Sequence, residues 1–136
     1  MSAMLMVTSA CIILLLGTVH LTYTFVGPKL RPRDATLEAA MRDGHPRITN
    51  ETTVWRAWIG FNASHSMGAI LFGLIYAFLA LAHPQLLFES AYLLAVGFAL
   101  LLGYLALGKL YWFRVPFAGI SIALLCYAGS VVLAHS

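Results

Sequence analysis

The chain has 136 residues, of which 61% are hydrophobic and only 10% charged, and its formal net charge is +3. A soluble domain averages about 45–50% apolar and about 25% charged residues, and a globule of this length has too little interior to hide so much apolar side chain. A water-soluble enzyme, a nucleic-acid-binding module and a disordered tail are thereby excluded, and an integral membrane protein is expected.

A helical span needs about 20 mostly apolar residues to cross a hydrocarbon core of about 30 Å. Four stretches qualify. The first covers residues 4–26 and stops at Gly27-Pro28. Residues 1–10 carry no Lys or Arg, so the basic region of a signal peptide is missing there. Residues 27–53 form the one sizeable loop. Within it the run from Asp34 to Gly44 reads as a short helix, with Asp34 as N-cap, Gly44 as the residue past the end and Pro46 following. Leu37, Ala40 and Met41 give it one apolar face, which suits either a helix lying on the membrane surface or a plain connector. The second span covers residues 54–82 and stops at His83-Pro84, and residues 84–89 read as a turn. The third covers 89–108 and the fourth 115–134, with Pro116 in the first turn of the latter, where a missing N–H costs little. Barrel strands would be about 10 residues long and alternate in polarity; these runs do neither. The predicted fold is an all-α four-helix transmembrane bundle forming a single domain over residues 1–136, with no internal repeat.

All eight Lys and Arg fall on one side of this scheme. Lys29, Arg31, Arg33, Arg42, Arg47 and Arg56 lie between or beside the first two spans, and Lys109 and Arg114 between the last two. The positive-inside rule therefore predicts cytoplasmic odd loops and both termini on the non-cytoplasmic side. Trp55, Trp58, Tyr111 and Trp112 flank the cytoplasmic boundary as an aromatic belt would. The triplets beginning at Asn50 and Asn62 match a glycosylation acceptor, but one is predicted cytoplasmic and the other lies in a span.

In so apolar a chain, polar residues inside the spans carry the information. Gly17, His20, Tyr23, Thr24 and Gly27 share one face of the first span. Asn62, His65, Ser66, Ala69 and Gly73 share a face of the second, and Gly60, Ser64 and Gly68 form a small-residue stripe that predicts a further close neighbour. Counted from the cytoplasmic ends at 1.5 Å per residue, His20 and His65 both lie about 10 Å deep. Asn62, Tyr23 and Tyr104 fall near the same level. A polar pocket in the cytoplasmic half, built around His20 and His65 with Asn62, Tyr23 and Tyr104, is the central expectation.

Three roles suit that pocket. It can bind an apolar ligand or cofactor: a b-type haem held by His20 and His65 as axial ligands, a quinone, or a lipid headgroup, in a protein acting alone or as a subunit of a larger membrane complex. It can belong to an enzyme acting on a lipid-soluble substrate, with His65 as acid or base and Asn62 orienting it. Or its groups can be structural, tying helices together at about 0.6–2 kcal/mol per contact. No carboxylate lies in a span to serve a pump. A tetrahedral zinc site is also not expected, because Cys11 stands nine residues from His20 on the same helix and His45, His83 and His135 lie elsewhere. Cys11 and Cys126 sit in apolar runs at similar predicted depth and read as unrelated buried thiols or, if the first and fourth spans pack together, a pair.

The segments Gly17-Thr-Val-His-Leu-Thr-Tyr-Thr-Phe25 and Trp58-Ile-Gly-Phe-Asn-Ala-Ser-His-Ser-Met-Gly68 resemble those of small four-span bacterial membrane proteins of uncharacterised function. The resemblance implies a four-span fold and carries no activity with it. A multi-pass protein of a bacterial inner membrane is therefore expected. Its partners are the lipid bilayer and, through the glycine-lined faces, further copies of itself or a larger complex, with no nucleic acid among them.

Overall fold

The computed structural model describes the whole chain, Met1–Ser136, and contains helices and no strands. The helices are α1 (Ser2–Phe25), α2 (Ala35–Asp43), α3 (Val54–Ala82), α4 (Pro84–Glu89), α5 (Ala91–Tyr111) and α6 (Arg114–His135). The helices α1, α3, α5 and α6 are each long and apolar enough to cross a membrane, and they fall on the four stretches expected from the sequence. Two compact units emerge, one made of Met1–Leu16 and Ala69–Ser136 and the other of Gly17–Gly68. Both α1 and α3 contribute a segment to each.

In the first unit, segments of α1, α3, α5 and α6 form a four-helix bundle around one core. Met6, Ala10 and Ile13 of α1, Ala69, Phe72, Tyr76 and Ala80 of α3, Leu94 and Leu101 of α5, and Ile120, Ala123 and Tyr127 of α6 are all buried. Their spacings of three, four and seven place them on one face of each helix. Among lipid tails, as apolar as leucine, helices of this kind would be held by close packing and hydrogen bonds rather than by escape from water. Gly73 lets α1 and α3 meet along their backbones: a Cβ there would lie 2.6 Å from Leu14 Cβ and 2.7 Å from the Ala10 carbonyl oxygen. Gly97 faces two phenols, and a Cβ there would lie 2.5 Å from the Tyr127 hydroxyl and 2.6 Å from that of Tyr76. Those hydroxyls donate to the backbone of α5, Tyr76 to the Leu93 carbonyl at 2.6 Å and Tyr127 to the Leu94 carbonyl at 2.9 Å. The Ser130 hydroxyl donates to the Ser2 carbonyl at 2.9 Å, which brings the start of α1 and the last turns of α6 to the same end of this bundle. Cys11 and Cys126 are free thiols, Cys11 on an exposed face.

Residues 84–89 are helical rather than the expected turn. Pro84 occupies the first helical turn of α4, where its fixed φ suits a start as well as a stop, and Leu87 is fully buried and anchors it. The third span accordingly begins at Ala91 rather than 89, with the Ser90 hydroxyl accepting from the Leu93 N–H as N-cap.

In the second unit, α1 ends at Phe25 and the chain turns at Gly27, whose φ of +83° is the only positive value in the protein. Glycine reaches this left-handed region without the steric cost a Cβ would impose. The returning loop is fastened to α3, because the Trp58 indole N–H donates to the Leu30 carbonyl at 3.2 Å. Helix α2 forms as expected, with the Asp34 carboxylate accepting from the Thr36 N–H at 2.8 Å. Gly44 differs from expectation: it closes the helix in an extended conformation, φ −79°, not a left-handed one. Its N–H bonds the Ala40 carbonyl and its own carbonyl accepts from the Val54 N–H, tying the end of α2 to the start of α3. The Gly60, Ser64 and Gly68 stripe differs in part. Gly60 and Ser64 are exposed and nothing lies within 4 Å of a Cβ built on Gly60, while Gly68 is half-buried. The packed small-residue stripe of α3 is instead Ser66, Ala69 and Gly73.

An N-cap contributes about 1 kcal/mol. Asp34→Ala should therefore speed amide exchange across Ala35–Asp43 about fivefold and leave exchange in α5 unchanged, as hydrogen exchange followed by mass spectrometry will show.

Candidate functional site

Three of the five expected pocket residues meet inside the second unit. His20 Nε2 lies 2.9 Å from Asn62 Oδ1, and the His20 and His65 rings stand edge to face with centroids 5.5 Å apart at 82°. All three side chains are half-buried. The arrangement follows from α-helical spacing. Asn62 and His65 are three apart on α3 and share a face, and His20 projects from the last turns of α1 at the matching height.

The hydrogen-bond network fixes which ring nitrogen of His20 donates to Asn62. The Asn62 amide N–H donates to the Trp58 carbonyl at 2.8 Å. A carbonyl only accepts, so the amide nitrogen is committed there and Oδ1 is the atom facing His20. His20 Nε2 must then carry the hydrogen, which leaves Nδ1 of a neutral ring as a lone-pair acceptor. One turn further on, the Thr24 hydroxyl donates to the His20 carbonyl at 2.9 Å. An asparagine orients an imidazole as an aspartate would but supplies no charge to stabilise an imidazolium. The cluster is therefore better suited to holding a polar head than to shuttling protons.

Haem does not fit these residues. Axial ligation needs two ring nitrogens facing each other across the macrocycle. Here the rings meet edge to face, and Nε2 of His20 is spent on a side chain of the helix that carries His65. A direct 2.9 Å bond between α1 and α3 at this level leaves no slot for a porphyrin.

Of the other two expected residues, Tyr23 lies in the second unit and Tyr104 in the first. Tyr23 turns to the loop: its hydroxyl accepts from Lys29 Nζ at 3.1 Å, and the same ammonium lies 4.5 Å from the ring centroid. Tyr104, on α5, has its ring 6.3 Å from that of Trp112.

The sequence reading missed a recess in the second unit. It has a volume of about 260 Å3 and is lined by Tyr23 and Thr24 from the end of α1, Arg31 from the loop, Arg42 from α2 and Trp55 from α3. The Arg42 guanidinium stacks 4.3 Å from the Trp55 ring and is held by Glu38 at 2.6 Å, the one ion pair in the protein. Read along the sequence, these residues are orientation charges and belt aromatics. The turn at Gly27, the Trp58–Leu30 bond and the Val54–Gly44 bond fold them together.

Compared with protein-family models, curated proteins and solved structures, the chain matches none of them, so its four apolar helices and these two polar clusters are what its function is read from.

Proposed function

We propose that the chain is a multi-pass protein of a bacterial inner membrane that binds a membrane-dissolved amphiphile with a hydroxyl donor in its head, a quinol or a hydroxyl-bearing lipid, through His20, Asn62 and His65. The observation that carries this reading is the oriented imidazole of His20. Its Nε2 donates to Asn62 Oδ1, so in the uncharged ring Nδ1 is the lone-pair acceptor left for a ligand. The basic loops face the cytoplasm and both termini lie outside. That reading is supported by the placement of every Lys and Arg and by the Ser130–Ser2 bond between the two chain ends.

A second reading has an observation of its own. The His20–Asn62 bond joins α1 to α3 directly, and such contacts tie spans together in many membrane proteins. Native mass spectrometry separates the two. The full chain released from a mild detergent, after incubation with a decyl-quinol and separately with dioleoylglycerol, is expected to carry an adduct of one of them. Its occupancy should fall about tenfold in His20→Leu and in Asn62→Leu, the loss of one buried hydrogen bond to the ligand. A bare wild-type chain overturns the binding reading. So do variants that keep full occupancy and only melt earlier, which would assign the cluster a structural role.

A further inference from the structure

We propose that the recess at the end of α1 is a binding site for a phosphate group, carried by an anionic phospholipid or free in solution. It is a separate site from the His20 cluster and does not depend on that cluster's role.

The recess gathers cations and few anions. Arg31 and Arg42 line it, and Lys29 sits against Tyr23 at its wall. The only carboxylate bonded to any of them is Glu38, on Arg42. It receives both Nε and one terminal nitrogen of that guanidinium through a single oxygen, Oε1. The other terminal nitrogen of Arg42 is free to donate, and Arg31 makes no ion pair. Planar guanidinium groups match phosphate oxygens in pairs, which makes arginine the preferred side chain for such an anion.

The neighbouring groups are set for the same ligand. Because the Tyr23 hydroxyl accepts from Lys29, its own hydrogen remains available to an oxyanion. The Arg42 guanidinium carbon lies over the Trp55 ring, 4.3 Å from its centroid, a cation–π contact that restrains it. The loop that brings Arg31 over the end of α1 is preformed: Gly27 turns it, the Arg31 N–H bonds the Pro28 carbonyl at 3.0 Å, and Trp58 pins Leu30. Little ordering is left to be done on binding, which favours affinity. Phe25 and Val26 lie exposed beside the recess at the apolar end of α1, where the chains of a bound lipid would run.

The test uses the full chain in neutral detergent, titrated with dioleoyl phosphatidylglycerol, with dioleoyl phosphatidylcholine and with inorganic phosphate, and read by native mass spectrometry. Phosphatidylglycerol is expected to bind, with affinity falling about tenfold in the Arg31→Gln, Arg42→Gln double variant and about threefold in Tyr23→Phe, which removes only the hydroxyl. Arg114→Gln, in the other basic loop, should bind as wild type. Displacement of the lipid by millimolar phosphate identifies the free anion as a ligand of the same site; no displacement identifies the lipid. Equal binding of phosphatidylcholine, or equal affinity across all variants, overturns the proposal. Tyr23→Phe keeps the test decisive if the double variant misfolds.

Discussion

Gly73→Ala is expected to destabilise the first unit by about 3 kcal/mol, the upper end of the usual overpacking range. The new methyl would stand 2.6 Å from Leu14 Cβ and 2.7 Å from the Ala10 carbonyl oxygen. Neither atom can swing aside. Leu14→Ala offers no relief, because the offending atom is the Cβ that alanine keeps, and the Ala10 oxygen is backbone. The only remedy is to move α1 away from α3, which loosens the packing along Met6, Ala10 and Ile13. Gly60→Ala on the same helix is the control. Its Cβ would meet nothing, and replacing a helical glycine gains up to about 1 kcal/mol in helix propensity. Thermal melts in detergent should therefore move in opposite directions for the two variants. Equal melting temperatures would show that α1 and α3 are not held at this glycine.

Element positions were largely legible in the sequence because span length and apolar composition are properties of contiguous residues. The bounds of α3 coincide with expectation, and α1, α5 and α6 depart from it by one to three residues. The misses have specific causes. His83-Pro84 signals both a stop and a start, and only the burial of Leu87 reveals that a short helix follows. Ser90 is an ordinary N-cap signal, hidden by the apolar residues that precede it. The Gly60, Ser64 and Gly68 spacing is as regular as that of Ala69 and Gly73, but periodicity says that two faces are smooth without saying which one is covered.

The candidate sites divide the same way. His20, Asn62 and His65 were identified because polar residues stand out in apolar spans and because equal depth on consecutive spans brings them level; their rings do meet. What periodicity could not give was orientation, and orientation decides the chemistry. The Asn62–Trp58 bond sets the imidazole tautomer, and the edge-to-face pairing removes haem from the ligands that fit. The recess was invisible for a different reason. Tyr23, Arg31, Arg42 and Trp55 span more than thirty positions, and their convergence depends on one glycine dihedral, one indole hydrogen bond and the Val54–Gly44 backbone bond. Tyr76 was overlooked as a polar group because its ring reads as apolar, although its hydroxyl bonds the first turn of α5.

Tyr127→Ala should produce the second large loss, about 3 kcal/mol, and the contrast with Tyr127→Phe explains its origin. Tyr127 is fully buried, with the rings of Tyr76, Phe72 and Phe98 at 5.9, 6.4 and 6.4 Å. Truncating a buried aromatic in a soluble core costs about 3–5 kcal/mol, part transfer from water and part cavity. For a span separating into lipid or detergent the transfer part shrinks, since the released ring stays in an apolar medium, while the lost packing contacts remain. The low end of that range is therefore expected. Tyr127→Phe keeps the ring and removes only the donor to Leu94. That carbonyl lies inside α5 and retains its intrahelical partner, so no acceptor is orphaned and the cost should stay near 0.6 kcal/mol, the average for hydrogen bonds between spans. Unfolding of the full chain in mixed micelles, followed by circular dichroism, measures both. If the two variants lose equal stability, the hydroxyl and not the ring holds α6 against α5, and the bundle is stabilised by hydrogen bonding where ring packing is expected to dominate.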